Sequence, residues 1–277
     1  MRILAEQVVL LTGASGGLGT FMAQAFAERK VKLALVAHPG VDLAGLRKTV
    51  AESGAEAIAL TSDLREPDRR REMLAAVSSR LGPIDILVNN AGVEFTSAYH
   101  ELSERQIGEV LSVNLEAPMI LSRLVLPEML GRKQGHIVNI SSLAGKSGPA
   151  FQESYAATKA GLVAFTQSLR ATYRGTGVSA SVIVPGFVEA GIYARLKAKT
   201  GRPAPALFRA CPPEWVAQAV LRSIESDAPE IIVSRYPIRP VLCLSALSPR
   251  LGAWLIARMG AHNFFRLAAE AEKRSRS

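Results

Sequence analysis

The chain has 277 residues, 48% of them hydrophobic and 21% charged, a balance that supports a sizeable core and excludes a disordered chain. The formal net charge is +9, but residues 235–277 hold eight Lys/Arg against two Glu; with the excess confined to the tail, no zinc spacing and no RNA-binding signature, the expectation is no nucleic-acid partner. Two cysteines far apart in sequence, Cys211 and Cys243, suggest neither a disulfide framework nor a metal site and suit a reducing, cytoplasmic setting.

Residues 7–11 form an apolar run without the charged-then-apolar leader of a secretory signal, and no run of 18 apolar residues predicts a membrane span. The run reads as a buried parallel strand. It stops at Thr12, and the turn Gly13-Ala14-Ser15-Gly16-Gly17-Leu18-Gly19 precedes a helical pattern over 20–30. Strand, glycine turn and helix together predict a dinucleotide site. The glycines admit a pyrophosphate, and the helix N-terminus supplies N–H groups and a partial positive charge.

A second strand, 32–37, ends at His38-Pro39-Gly40. An acid here would hold a ribose 2′-hydroxyl and a base a 2′-phosphate. With Ala37 and His38 here and no carboxylate before Asp42, NADP is preferred and NAD remains the alternative. A third strand over 55–61 leads to Asp63 and Leu64; Asp63 either accepts from the adenine amino group or caps the next helix. That helix, 67–81, carries three arginines at 69–71, read as a solvated face. The fourth strand, 84–88, runs into Asn89-Asn90-Ala91-Gly92, a candidate cofactor floor. Asn114 lies within a helical region, where propensity disfavours it; a buried task or a kink before Pro118 would account for it.

The fifth strand, 135–141, delivers Ser142. Thirteen residues later comes Tyr155, and Lys159 follows four on, on the same helix face. An ammonium beside a phenol favours the phenolate, so the tyrosine pKa is expected below its ordinary value of about 10. Such a group exchanges a proton with an alcohol oxygen near neutral pH. A sixth strand, 178–184, closes on Pro185-Gly186, and a helix from Pro212 precedes a seventh at 230–234. The alternation predicts the α/β class: one doubly wound domain over 1–235 with a seven-stranded, mostly parallel sheet and helices on both faces, then a helical C-terminal extension over 236–277.

Together, Thr12-Gly-x-x-x-Gly-x-Gly19, Asp63, Asn89 to Gly92, Asn114, Ser142, Tyr155-x-x-x-Lys159 and Pro185-Gly186 resemble the short-chain dehydrogenase/reductase family over about residues 5–235. The resemblance implies a Rossmann-type fold and an NAD(P)-dependent oxidoreductase acting on a secondary alcohol or ketone. It also implies a homodimer or homotetramer. Tyr155 would be the general acid/base, Lys159 would lower its pKa and hold the nicotinamide ribose, Ser142 would orient the substrate oxygen, and Asn114 would position a water. Gly13, Ser15 to Gly19, His38, Asp63, Leu64, Asn90 to Gly92, Tyr155, Lys159, Pro185, Gly186 and Val188 would hold the cofactor. Two departures stand out: Glu189 and Ala190 occupy the region where the family often has Thr, and His38 stands where NADP-dependent members often carry Arg.

The loop after Gly186 offers an apolar lid: Phe187, Val188, Ile192, Tyr193, Leu196, Leu207 and Phe208, joined by Leu143, Pro149 and Phe151. This wall fits a lipophilic substrate. Lys197, Lys199, Arg202 and Arg209 are either solvated or receive an acidic group, and Glu94 is a candidate substrate contact. In the extension, Leu251, Trp254, Leu255 and Met259 follow helical spacing beside Arg250 and Arg258, with Phe264, Phe265 and Arg266 beyond. This stripe either packs on the lid or a second subunit, or makes a peripheral membrane contact. A non-catalytic dinucleotide-sensing protein on the same fold is the competing reading.

Overall fold

β1 (Val8–Thr12) is buried along its whole length, as an apolar strand covered on both faces must be. The computed structural model describes residues 4–258 and 260–274. Met259 lies outside them, as does the side chain of Leu207. The other strands are β2 (Lys32–Ala37), β3 (Ala57–Thr61), β4 (Ile86–Asn89), β5 (Gly135–Ile140), β6 (Val178–Pro185) and β7 (Glu230–Val233). They lie in the order β3-β2-β1-β4-β5-β6-β7. Every pairing is parallel, so the sheet is wholly rather than mostly parallel.

The helices are α1 (Gly17–Ala27), α2 (Ala44–Glu52), α3 (Pro67–Leu81), α4 (Glu104–Leu111), α5 (Ala117–Gly131), α6 (Glu153–Thr172), α7 (Gly191–Thr200) and α8 (Pro213–Glu225), followed by α9 (Arg239–Leu247), α10 (Pro249–Arg258) and α11 (Ala261–Arg274). Met22 and Phe26 of α1, Val50 of α2 and Val216 and Val220 of α8 bury one sheet face. Met73 and Val77 of α3 and Leu121, Val125 and Met129 of α5 bury the other. Each such side chain contributes roughly 1.5–3 kcal/mol on leaving water. The winding reverses between β1 and β4, and the crevice at their carboxyl ends is where an open α/β sheet binds ligands.

α1 begins at Gly17, not Thr20, because the glycine turn runs directly into its first turn. The triple arginine also differs from expectation. Arg69 and Arg71 are exposed, but Arg70 is buried. Its Nη2 donates to Glu116 Oε1 and to the Arg65 carbonyl, both at 2.9 Å, so it ties α3 to the chain that carries Asn114. There the helix widens into a π-helical turn, Ser112–Glu116. The continuous helix Glu104–Gly131 is long and apolar enough to cross a membrane by length and composition. Here Ala117, Leu121, Val125 and Met129 pack it into the core.

Candidate active site

Two cavities meet at the carboxyl end of the sheet. The larger, about 500 Å³, runs from the glycine turn past the ends of β2 and β3 to Ser142 and Lys159. Gly13 has φ +64°, and a Cβ there would lie 2.8 Å from Ala91 Cα, so only glycine lets the turn lie against the β4 loop. Asn90 Nδ2 fixes the two together, donating to the carbonyls of Thr12 (3.0 Å) and Gly13 (2.9 Å). Gly16, the N-cap of α1, has no side chain to cap it. Amide groups of the first turn therefore remain for an anion. That arrangement fits a dinucleotide pyrophosphate.

Gly13, Ser15, Gly16, Gly17, Leu18, His38, Asp63, Leu64, Asn90, Ala91, Gly92, Tyr155, Lys159, Pro185, Gly186 and Val188 all line this cleft. Gly19 does not. A Cβ on it would lie 2.2 Å from the Gly13 carbonyl oxygen, so its contribution is close packing of the turn. Asp63 at the cleft edge is paired within the chain. Its carboxylate takes Arg65 Nη2 at 2.6 Å and Nε at 2.9 Å, with His38 Nε2 3.7 Å away. The Arg65 hydrogen bond is the main reason its pKa is held down to about 2. Arg65 was not singled out by sequence reasoning. Its two-residue spacing from Asp63 was the available signal, because such a pair can fork within one turn.

β5 delivers Ser142, and a 3₁₀ turn, Leu143–Gly145, lays the following loop on α6. A Cβ on Gly145 would lie 2.5 Å from the Lys159 carbonyl carbon. Gly145→Val is therefore expected to lift the Ser142 loop and cut kcat/KM at least about tenfold, with cofactor affinity changed less. Steady-state kinetics and a cofactor titration check this.

The Ser142 hydroxyl faces the Tyr155 phenol closely enough to act on its proton, and Ala144 N–H donates to Ser142 Oγ at 3.1 Å. Lys159 Nζ donates to the Ile140 carbonyl at 2.8 Å and lies 5.5 Å from the Tyr155 ring centroid. The expected depression of the tyrosine is not found. Burial pushes the phenol up to about 12; the Ser142 hydroxyl pulls it down and the Glu94 charge pushes it up further. Lys159 does not touch the phenol oxygen, and its own ammonium is pulled down to about 8 by burial. Desolvation outweighs the lysine charge here.

Asn114, fully buried, accepts from Val93 N–H and donates to the Val93 carbonyl, both at 2.8 Å. It fixes the Val93 backbone just past the cofactor floor, which is why a poor helix former sits in the π turn. Its Nδ2 also reaches Thr158 Oγ1 at 3.4 Å, on the same helix as Tyr155 and Lys159.

The second cavity, about 150 Å³, is apolar and includes Leu143, Phe187, Ile192, Tyr193, Leu196 and Phe208. Ser142, Tyr155, Gly186, Ile192 and Tyr193 line both cavities. Phe151 does not line this one. Its φ is +66°, and it packs against the cluster of Tyr193, Phe264 and Phe265. Glu94 is not a free substrate contact either: buried, it is held by Arg195, Thr96 and Gln152. The Arg195 contact ties α7 to the loop after β4. Lys197 pairs with Glu189 at 3.0 Å and Lys199 with Glu272, leaving Arg202 and Arg209 exposed.

The extension takes part in the pocket, which sequence reasoning left open. Phe264 and Phe265 lie 5.5 and 5.9 Å from the Phe187 ring. Ile238, Val241, Leu242 and Ile256 complete the apolar lining.

A family profile described as short chain dehydrogenase matches residues 7–201. The ketoacyl reductase HetN of Nostoc sp. is 38% identical over 90% of this chain and 88% of its own length. A 3-oxoacyl-[acyl-carrier-protein] reductase of Vibrio cholerae is 33% identical over 67% of this chain and 75% of its own. Among solved structures, an actinorhodin polyketide ketoreductase with NADPH superposes with a TM-score of 0.77 at 30% identity, covering 84% of this chain and 98% of that one. With this profile match, these relatives and a glycine turn opposite a Ser-Tyr-Lys wall, the chain belongs to the short-chain dehydrogenase family of oxidoreductases.

Proposed function

We propose that the protein is an NADPH-dependent reductase of lipophilic ketones. One observation carries this reading: Ser142 and Tyr155 stand side by side where the polar dinucleotide cleft opens into the apolar pocket. A ketone oxygen placed there meets two hydroxyls while its carbon faces the cleft. Bound in the cleft, the nicotinamide supplies or accepts the hydride. Tyr155 gives its proton to the substrate oxygen, and Ser142 donates a hydrogen bond that polarises the carbonyl. Lys159 supports the phenolate that remains, and Asn114 holds the backbone beside it. The high tyrosine pKa keeps the acid form occupied at neutral pH, which suits reduction.

The relatives' names make ketoacyl compounds the first substrate class to test. The direct experiment is NADPH consumption with 3-ketoacyl thioesters and simple ketones of increasing chain length. A protein that binds NADPH and reduces none of them would sink the proposal in favour of dinucleotide sensing. We further take the enzyme to act in the cytoplasm as a homodimer or homotetramer; sedimentation equilibrium reads the assembly.

The NADPH preference rests on Arg65 and His38 at the ends of β3 and β2, and on the NADP or NADPH bound to two similar solved structures. Arg65→Ala removes a guanidinium and leaves Asp63 facing a 2′-phosphate. It should raise the Kd for NADPH by roughly 10–100-fold while changing that for NADH by less than about threefold. Fluorescence titration with both cofactors measures this.

A further inference from the structure

α9 and α10 fold back on each other. A Cβ on Gly252 would lie 2.5 Å from Ser245 Cα, so glycine is what lets the two helices touch. The inward side of this hairpin supplies Val241, Leu242 and Ile256 to the substrate pocket. Its outward side is also apolar: Leu247 is 85% exposed and Trp254 54%, and Leu244 and Leu251, three residues before each and so on the same helix face, are exposed too. Scattered apolar residues on a surface are ordinary, but a contiguous ridge marks an interaction site.

The charge around the ridge indicates the partner. Residues 231–269 contain five arginines and no Asp or Glu. Arg239, Arg250 and Arg258 are exposed on the hairpin, and the Arg258 guanidinium lies 5.2 Å from the Trp254 ring. A tryptophan and leucines at the depth of acyl chains, with arginines at the level of headgroups, complement an anionic bilayer surface. A second copy of this chain docked ridge to ridge would set this positive charge against itself.

We propose that the α9–α10 hairpin seats in the interface of an anionic lipid bilayer, and that the lipophilic ketone enters the pocket from the bilayer between this hairpin and the lid. The second half rests on the reductase reading above. Deleting residues 236–277 would be a poor test, because it strips the pocket of one wall, so surface substitutions of the full chain are used.

The wild type should float with phosphatidylcholine vesicles containing about 30% phosphatidylglycerol at least tenfold better than with phosphatidylcholine alone, and less so at high salt. Leu247→Glu/Trp254→Glu should lose that binding about tenfold and slow reduction of a vesicle-dissolved long-chain ketone, while a water-soluble short ketone is reduced as before. Arg250→Gln/Arg258→Gln should lose the preference for anionic vesicles. An environment-sensitive label on Cys243, the exposed thiol of the two, should shift to the blue with anionic vesicles. Equal flotation of wild type and the double Glu variant would overturn the proposal. So would absence of flotation together with dissociation of a dimer in that variant, which would mean that a second copy covers the ridge. Vesicle binding is read without turnover. A protein that binds vesicles and reduces no ketone therefore fails as a reductase but keeps the surface, and one that reduces ketones in solution and binds no vesicles fails only here.

Discussion

Tyr155→Phe is expected to lower kcat for ketone reduction by about a hundred- to ten-thousandfold while changing the Kd for NADPH by less than about threefold. The phenol oxygen is the only atom lost. Ser142 and Lys159 remain, because the Ser142 loop is held by Ala144 N–H and Lys159 by the Ile140 carbonyl. Steady-state kinetics and cofactor fluorescence on the same preparation separate the two quantities. The direction of the reaction tests the same group. With the phenol at about 12, the proton-donating form predominates at neutral pH and the proton-accepting form is scarce, so alcohol oxidation should climb with pH. A Phe variant with near-normal turnover would remove Tyr155 from the chemistry.

Lys159→Met is expected to abolish most activity and yet raise the melting temperature of the cofactor-free protein at pH 7. An ammonium 5.5 Å from the phenol ring stabilises a phenolate by roughly 3 kcal/mol at an effective dielectric near 20, so kcat should fall at least about a hundredfold. The stability gain has a separate cause. Burial holds the ammonium at about 8 instead of 10.5, so keeping it charged in the folded state costs roughly 3 kcal/mol. Methionine removes that cost but leaves the Ile140 carbonyl without its donor, so the net gain is roughly 1–2 kcal/mol, or about 2–8 °C. The sign with pH follows. The penalty is complete below about 8, where both folded and unfolded lysine are protonated. Between about 8 and 10.5 the unfolded chain binds the extra proton, so wild-type stability rises with pH and the advantage of the variant disappears. Thermal melts at pH 7 and pH 10 would show it. A variant that melts lower at both would mean that the lysine stabilises the fold. In the wild type, reductive kcat/KM should fall above about 8 as Lys159 loses its charge.

The order of strands, the glycine turn and the family were legible because they are local. A buried strand must be an apolar run, a diphosphate turn must spare side chains, and a helix puts residues four apart on one face. Residues 7–11 and the pair Tyr155 and Lys159 could thus be placed without coordinates. Tertiary structure decided what depends on neighbours distant in the chain. Whether Lys159 could depress Tyr155 depended on how deeply both were buried. Whether Asp63 stood alone at the cleft edge depended on a guanidinium two residues on turning toward it. Whether Arg70 was solvated depended on Glu116, 46 residues away. The extension is the clearest case. Its helical periodicity was visible, but only packing shows α11 placing Phe264 and Phe265 against Phe187 of the lid while α9 and α10 close the pocket and leave Leu247 and Trp254 outside. Periodicity identifies a helix's apolar side, but the surface it meets is set by the folded chain as a whole, through burial and charge that sequence spacing does not encode.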